Sequence, residues 1–319
     1  MAYRRGASLD TLRRRAAMVK AVRDFFAERG VLEVETPALS SAGTTDLHLE
    51  SIVAHARTFA APQYLHTSPE YAMKRLLADG SGDIYQLCRV FRDDELGRWH
   101  QPEFTMLEWY RLNVDELALM SEVAELVQTT LAAASAGAPR RVVRLTYAEA
   151  LEAALGARPE APTEELVRRL AAAGVDVPPG LSHDAVLDLA FGTVVPAGFD
   201  AAALTFVHDY PATQAALARI KPTVPPVAAR FELFLGGLEL ANGFHELTDP
   251  LEQRRRFEAD LERRRASGRA APPLDEDFLS ALASLPDCAG VALGFDRLVA
   301  LALGHDELAA AVSFAHVRD

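Results

Sequence analysis

Two arginines, a set of carboxylates and a few aromatic rings carry the chemistry open to this sequence. Arg92 begins a polar stretch, Arg92-Asp93-Asp94-Glu95-Leu96-Gly97-Arg98-Trp99-His100-Gln101, after which Phe104, Met106, Glu108 and Tyr110 alternate. At a two-residue period these four share one face of a strand. With a rise of ~3.3 Å per residue, Phe104 and Glu108 lie about 13 Å apart. That separation suits a ligand with a flat base at one end and a cationic group at the other, and Arg92 could hold a phosphate between them. An ordinary amphipathic hairpin would show the same alternation.

A second hairpin runs from Arg230 to Phe244 around Gly236-Gly237, a favoured two-residue turn. If Leu235 pairs with Leu238, Phe234 faces Glu239 and Glu232 lies on the same side. The two glutamates are then diagonal neighbours, with Cβ atoms up to ~7–8 Å apart, a span that a hard divalent cation bound to phosphate oxygens can bridge. Two glutamates on a solvated sheet face are the alternative. Asn242-Gly243-Phe244-His245-Glu246 reads as a break in the strand that projects a further carboxylate. Near the C-terminus, Ala289 to Gly294 reads as a strand ending in glycine, with a helix opening near Asp296. Glycine lets backbone approach a ligand, and Arg297 falls at a helix start, where anions are favoured.

These residues need elements to hold them. Leu12, Ala16, Val19, Val22 and Phe26 form one stripe of a helix over Asp10–Arg29, stopped by Gly30. Val31–Val34 is a short strand closed by Thr36-Pro37, and Leu47–Ala54 is extended. Ser68 reads as an N-cap with Pro69 at the first helical position and Glu70 after it. Ile84–Phe91 is the strand feeding Arg92, and Asp115–Ala134 is a long helix. The stretch from Ser135 to Ala203 is rich in Ala, Pro and Gly, carries three short helical patterns and offers no catalytic constellation. It is expected to be a helical insertion within a single catalytic domain spanning residues 1–319. The Arg-rich helix Pro250–Arg265 reads as a solvated face with internal ion pairs.

The 319 residues allow a sizeable core, and no apolar run approaches the ~18 residues of a membrane span. Only Cys88 and Cys288 are present, so a disulfide framework is excluded and a cytoplasmic setting is expected. The formal net charge of −12 argues mildly against nucleic acid as the main partner.

The ordered segments resemble the class II aminoacyl-tRNA synthetases. Arg23–Pro37 resembles motif 1, Phe91-Arg92 through Tyr110 motif 2, and Gly290 through Leu298 motif 3. Thr67-Ser68-Pro69-Glu70, Pro102-Glu103-Phe104 and Glu239-Leu240-Ala241-Asn242-Gly243-Phe244 narrow this to the lysyl-tRNA synthetase branch. Two departures matter. The motif 1 helix starts almost at the first residue, so the synthetases' anticodon-binding barrel is expected to be missing, and Ala292 stands where the synthetases have glycine. Both are similar to the lysyl-tRNA synthetase paralogues that modify translation elongation factor P with β-lysine.

The resemblance implies an α+β fold, an antiparallel sheet flanked by helices, acting as a homodimer. It implies ATP-dependent activation of (R)-β-lysine or lysine as an adenylate and transfer to a lysine of elongation factor P, with tRNA an improbable acceptor. By similarity, Arg92 and Arg297 are catalytic. Asp93, Asp94, His100, Gln101, Phe104, Glu239, Leu240 and Gly294 join them around ATP, and Glu232 and Glu239 hold magnesium. Ser68, Pro69, Glu70, Glu108, Tyr110, Asn242, Glu246 and Ala292 surround the amino acid. Asp94 replaces the family's glutamate and Gln101 its asparagine.

Overall fold

The computed structural model describes residues 3–137 and 140–316. Strand β1 (Tyr3–Arg5) leads into helix α1 (Leu9–Glu28), whose N-cap is Ser8. Short strands β2 (Leu32–Glu33), β3 (Leu39–Ser40), β4 (Val53–Ala54) and β5 (Gln63–Leu65) precede helix α2 (Glu70–Ala78). Next come β6 (Ile84–Phe91), β7 (Glu103–Leu112) and helix α3 (Glu116–Ala133), which Asp115 caps. Strand β8 (Arg141–Thr146) and helices α4 (Tyr147–Leu155), α5 (Thr163–Ala172) and α6 (His183–Thr193) follow. The chain returns through β9 (Ala203–Pro211), β10 (Ile220–Lys221), β11 (Val227–Leu235) and β12 (Leu238–His245). Helices α7 (Pro250–Ala266) and α8 (Glu276–Ala281), β13 (Cys288–Gly294), α9 (Phe295–Ala302) and β14 (Phe314–His316) complete it.

One large sheet organises these parts, in the order β2-β6-β7-β13-β12-β11-β9-β8, with β10 paired beside β11. Only the β2–β6 and β8–β9 pairings are parallel. On one face Leu107, Trp109, Val291, Leu293 and Leu233 pack with Phe26 of α1, Val123 and Val127 of α3 and Val299 of α9. Phe26 stacks on Tyr85 at 4.3 Å and meets Trp109 edge-on at 5.5 Å. Burying each such ring contributes roughly 1.5–3 kcal/mol. This packed layer makes the sheet rigid and leaves the other face for chemistry.

Several expectations change here. The stretch expected to be helical contributes β8 as well, because Val142, Val143 and Leu145 line up beside Leu204, Thr205 and Val207; residues 138 and 139 within it lie outside the described residues. The Asn242–His245 segment does not break the strand. Gly243 stays paired between Phe231 and Val291 in β12, and the Phe231 ring occupies the place a Cβ would need. Arg264 on the Arg-rich helix is fully buried: it donates to the Leu49 and Ala270 carbonyls at 2.9 and 2.7 Å and pairs with Glu50 at 2.6 Å. It therefore fastens the loop before β4 to α7.

Candidate active site

Strand register decides which side chains meet. Glu108 of β7 lies opposite Ala292 of β13, Ala292 opposite Asn242 of β12, and Asn242 opposite Glu232 of β11. One step along, Tyr110, Gly290, Phe244 and Arg230 form a parallel row. The β11–β12 hairpin begins as expected, with Gly236 and Gly237 both at positive φ and Phe234 opposite Glu239. A bulge then intervenes, because Leu233 pairs with Ala241 and Leu240 is the additional residue. Leu240 and Ala241 both enter the core. The bulge thus lets Glu239 share a face with Asn242 and Glu246, which strict alternation would forbid. Strict alternation gave the right partner for Glu239 and missed this shift beyond it.

Every residue expected around the amino acid lines one cavity of about 480 Å³, which Arg92 also reaches. Glu108 is its buried centre: Ser68 Oγ donates to Oε2 at 2.7 Å and the Tyr110 hydroxyl to Oε1 at 2.7 Å. Ser68 is not the helix N-cap, since Pro69 takes that position and the Ser68 hydroxyl is directed to Glu108 while accepting from Glu70 N. Burial, then the charge of Glu70, pushes the Glu108 carboxyl up to about 8 despite the two donors. Burial likewise raises Glu246 to about 7, against the pull of Lys74. Carboxyls held this high are costly to ionise alone and become favourable beside an ammonium.

Lys74 escaped the sequence reading, although its i, i+4 spacing from Glu70 on α2 was the available signal. Its ammonium is buried and contacts Glu70 Oε1 at 2.6 Å and Glu246 Oε2 at 2.5 Å. Burial opposes that charge, but Glu246 and Glu70 outweigh it and raise the lysine above its usual range.

The nucleotide end lies further along β7. The Arg92 guanidinium sits 5.1 Å from the Phe104 ring centroid, and its buried Nε has no hydrogen-bond partner. A buried guanidinium donor left over fits an anionic oxygen. Arg297, in the first turn of α9, donates to the Glu239 carbonyl at 3.0 Å and to His100 Nε2 at 2.8 Å. Desolvation, then Arg297, lowers His100, which keeps it neutral and able to accept. Gly294 caps α9, where a Cβ would lie nearest the Arg297 side chain. Asp296 is the helix anchor. It is buried, pairs with Arg15 at 2.6 Å and accepts from Thr105 N at 2.8 Å.

Four side chains expected at the nucleotide stand elsewhere. Asp93 and Asp94 are exposed, and Asp94 adopts a left-handed conformation (φ 58°). Glu95, 3.7 Å from Arg92, is the acid that faces the arginine. Gln101 is buried with its Oε1 accepting from His316 N at 2.8 Å, so its amide braces β14. Leu240 turns its side chain into the core, leaving only its backbone to the site.

Glu232 and Glu239, the pair expected to hold a metal, lie close enough to feel each other's charge. Burial and the charge of Glu232 push Glu239 up to about 7, against Arg297, Arg230 and Arg92. Arg230 pairs with Glu232 at 2.6 Å, and the buried Asn242 Oδ1 lacks a donor. Among the described residues no three acidic, His or Cys side chains form a complete metal cage. A hard cation here would share its remaining positions with phosphate oxygens.

The sequence profile of the class II tRNA synthetases (D, K and N) matches residues 1–318. The chain belongs to this family. Within it, the chain is 47% identical over 319 residues to an elongation factor P–(R)-β-lysine ligase of Vibrio cholerae serotype O1, covering 97% of this chain and 96% of that protein. A protein of the same name from Vibrio atlanticus is 45% identical over 313 residues, covering 95% and 94%. One from Salmonella dublin is 46% identical over 317 residues, covering 97% and 95%. The fold of this synthetase-family ligase is the expected sheet with flanking helices, antiparallel except where β2 joins β6 and β8 joins β9. Among the described residues no helix is long and apolar enough to cross a membrane.

Proposed function

We propose that the chain activates (R)-β-lysine with ATP and transfers it to the ε-amino group of a lysine on translation elongation factor P. The observation that carries the chemistry is the single sheet face on which buried Glu108 and Glu246 stand in the same cavity as Arg92. Relatives of the same length supply the acceptor through their names.

In this reading the amino-acid carboxylate attacks the α-phosphorus of ATP, forming the adenylate and releasing pyrophosphate. No protein nucleophile takes part; positioning and charge neutralisation supply the acceleration. Arg92 holds the α-phosphate and Phe104 stacks on adenine. Arg297 holds the γ-phosphate, kept in place by Glu239 and His100. Glu232 and Glu239 would hold magnesium, which neutralises phosphate charge when bound. Ser68, Glu70, Glu108, Tyr110 and Glu246 receive the two ammonium groups, with Asn242 nearby. The acceptor amine, having lost a proton, then attacks the adenylate carbonyl; the amide bond forms and AMP leaves.

Ala292, between Glu108 and Asn242, adds a methyl to the pocket floor and favours the amino acid whose amino group is displaced by one carbon. Leu9, Leu32 and Leu39 are exposed apolar side chains beside the first motif and support a homodimer through that region. A translation-factor acceptor supports a cytoplasmic setting. The test supplies ATP, magnesium and each amino acid to the protein with elongation factor P or tRNA. Modified factor and uncharged tRNA are expected; charged tRNA with unmodified factor would overturn the reading.

A further inference from the structure

The buried ammonium of Lys74 has no place in the reaction as derived, yet it lies against two of the pocket's carboxylates. Its contacts select particular oxygens. Lys74 takes Glu70 Oε1 at 2.6 Å and Glu246 Oε2 at 2.5 Å. Glu246 Oε1 is turned the other way, toward β13, where a Cβ on Gly290 would meet it at 2.5 Å. Gly290, Glu246 and Glu70 all line the cavity, whereas Lys74 does not. The lysine therefore stands behind the wall and holds one oxygen of each glutamate, with Glu246 Oε1 left on the Gly290 side.

Charge leads to the same place. Glu70, Glu108 and Glu246 with Lys74 sum to minus two when all are ionised, the complement of a ligand bearing two ammonium groups. Without the lysine the same volume would hold three carboxylates and no cation, and burial would force one or more to keep a proton.

We propose that Lys74 is a positioning residue for amino-acid recognition: it orients Glu70 and Glu246 and sets the pocket's charge to match a diammonium substrate. This rests on the amino-acid reading of the cavity given above. The titratable groups that interact with the lysine are Glu70 on its own helix, Glu246 just past β12, Glu108 on β7 and Cys288 on β13, while His245 acts on Glu246 and Tyr110 on Glu108. Phe278 of α8 covers the remaining side, 5.9 Å from the ammonium.

The experiment is ATP–pyrophosphate exchange by the full chain with β-lysine and with lysine, as a function of pH, for wild type, Lys74→Met, Glu246→Gln and the double variant. Removing one member of a buried charge pair is expected to raise the amino-acid KM of Lys74→Met by about tenfold or more. Its KM for ATP stays within about twofold, because Arg92 and Arg297 are untouched. The acid limb of its amino-acid kcat/KM profile moves to higher pH, as the glutamates lose their cation. In the Glu246→Gln background the added effect of Lys74→Met shrinks to about threefold or less, since one glutamate through which it acts is already neutral. That comparison stands even if Lys74→Met alone does not fold. A purely structural lysine would instead lower folded yield, leave both KM values and the acid limb in place, and give additive effects. Either that pattern in a folded Lys74→Met, or a tenfold further loss in the double variant, overturns the proposal. Wild type that exchanges with neither amino acid would overturn the functional reading itself.

Discussion

Substituting alanine for Gly290 probes the geometry of the pocket wall with the smallest possible change. The new Cβ would lie 2.5 Å from both Tyr110 Cδ1 and Glu246 Oε1. Ordinary contacts lie at about 3.5–4.0 Å, so something must move by roughly 1 Å. Backbone shifts are resisted because β13 is hydrogen-bonded to β7 on one side and β12 on the other. The Tyr110 ring is buried and Glu246 is fixed by Lys74, so the strain falls on those two side chains. Overpacking of this kind costs about 1–3 kcal/mol. Displacing the Tyr110 hydroxyl from Glu108 forfeits a hydrogen bond to a charged group, worth about 1.5–3 kcal/mol. If about half of that sum is lost from ligand binding, the amino-acid KM rises roughly 10- to 100-fold. The nucleotide end keeps its contacts, so the ATP KM changes by less than about threefold. Denaturant unfolding and pyrophosphate exchange read the two parts separately. A folded Gly290→Ala protein with an unchanged amino-acid KM would refute the assignment of this wall to the amino acid.

Other outcomes follow from the same contacts. Ala292→Gly should move preference from β-lysine toward lysine by about tenfold, the scale of one methylene in a pocket, read as the ratio of kcat/KM values; an unchanged ratio removes Ala292 from specificity. Asp296→Asn leaves Arg15 with no full partner in a buried setting and should destabilise the fold by about 3–5 kcal/mol in urea melts, whereas a loss below 1 kcal/mol would show that the pair is dispensable. Glu108, raised from 4.5 to about 8, holds its proton in the folded state across a window where the unfolded chain has released it. The sign is therefore negative: stability of the ligand-free protein falls as pH rises from near 5 toward 8. Bound ammonium favours the ionised form, so amino-acid binding near pH 7 should release protons. Calorimetry in buffers of different ionisation heat measures this, and proton uptake would contradict it.

Much of this site was legible because strand periodicity is rigid. Glu108 and Tyr110 share a face for the same reason that Leu107 and Trp109 share the opposite one, and the Gly236-Gly237 turn fixed Glu239 against Phe234. Alternation could not reveal the extra residue at Leu240, because a bulge depends on which side chains the core can accept. Lys74 was hidden for a different reason. Its i, i+4 partner is local, but Glu246 arrives from just past β12, far along the chain, and only the fold makes the lysine buried. Gln101 and Asp94 stand apart from the expected nucleotide contacts through tertiary structure: β14 captures the amide, and a left-handed turn swings the short acid outward in favour of Glu95. Strand β8 was obscured by the alanine-rich sequence around it, since six residues carry too little pattern to stand out beside three helices.

What receives the activated amino acid separates this enzyme from a tRNA-charging synthetase. Intact-protein mass spectrometry of elongation factor P, incubated with the enzyme, ATP, magnesium and (R)-β-lysine, measures this directly. A mass increase equal to one β-lysyl group on a single lysine is expected, dependent on ATP and abolished by Arg92→Ala. An unmodified factor in a reaction that still consumes β-lysine and ATP would contradict it.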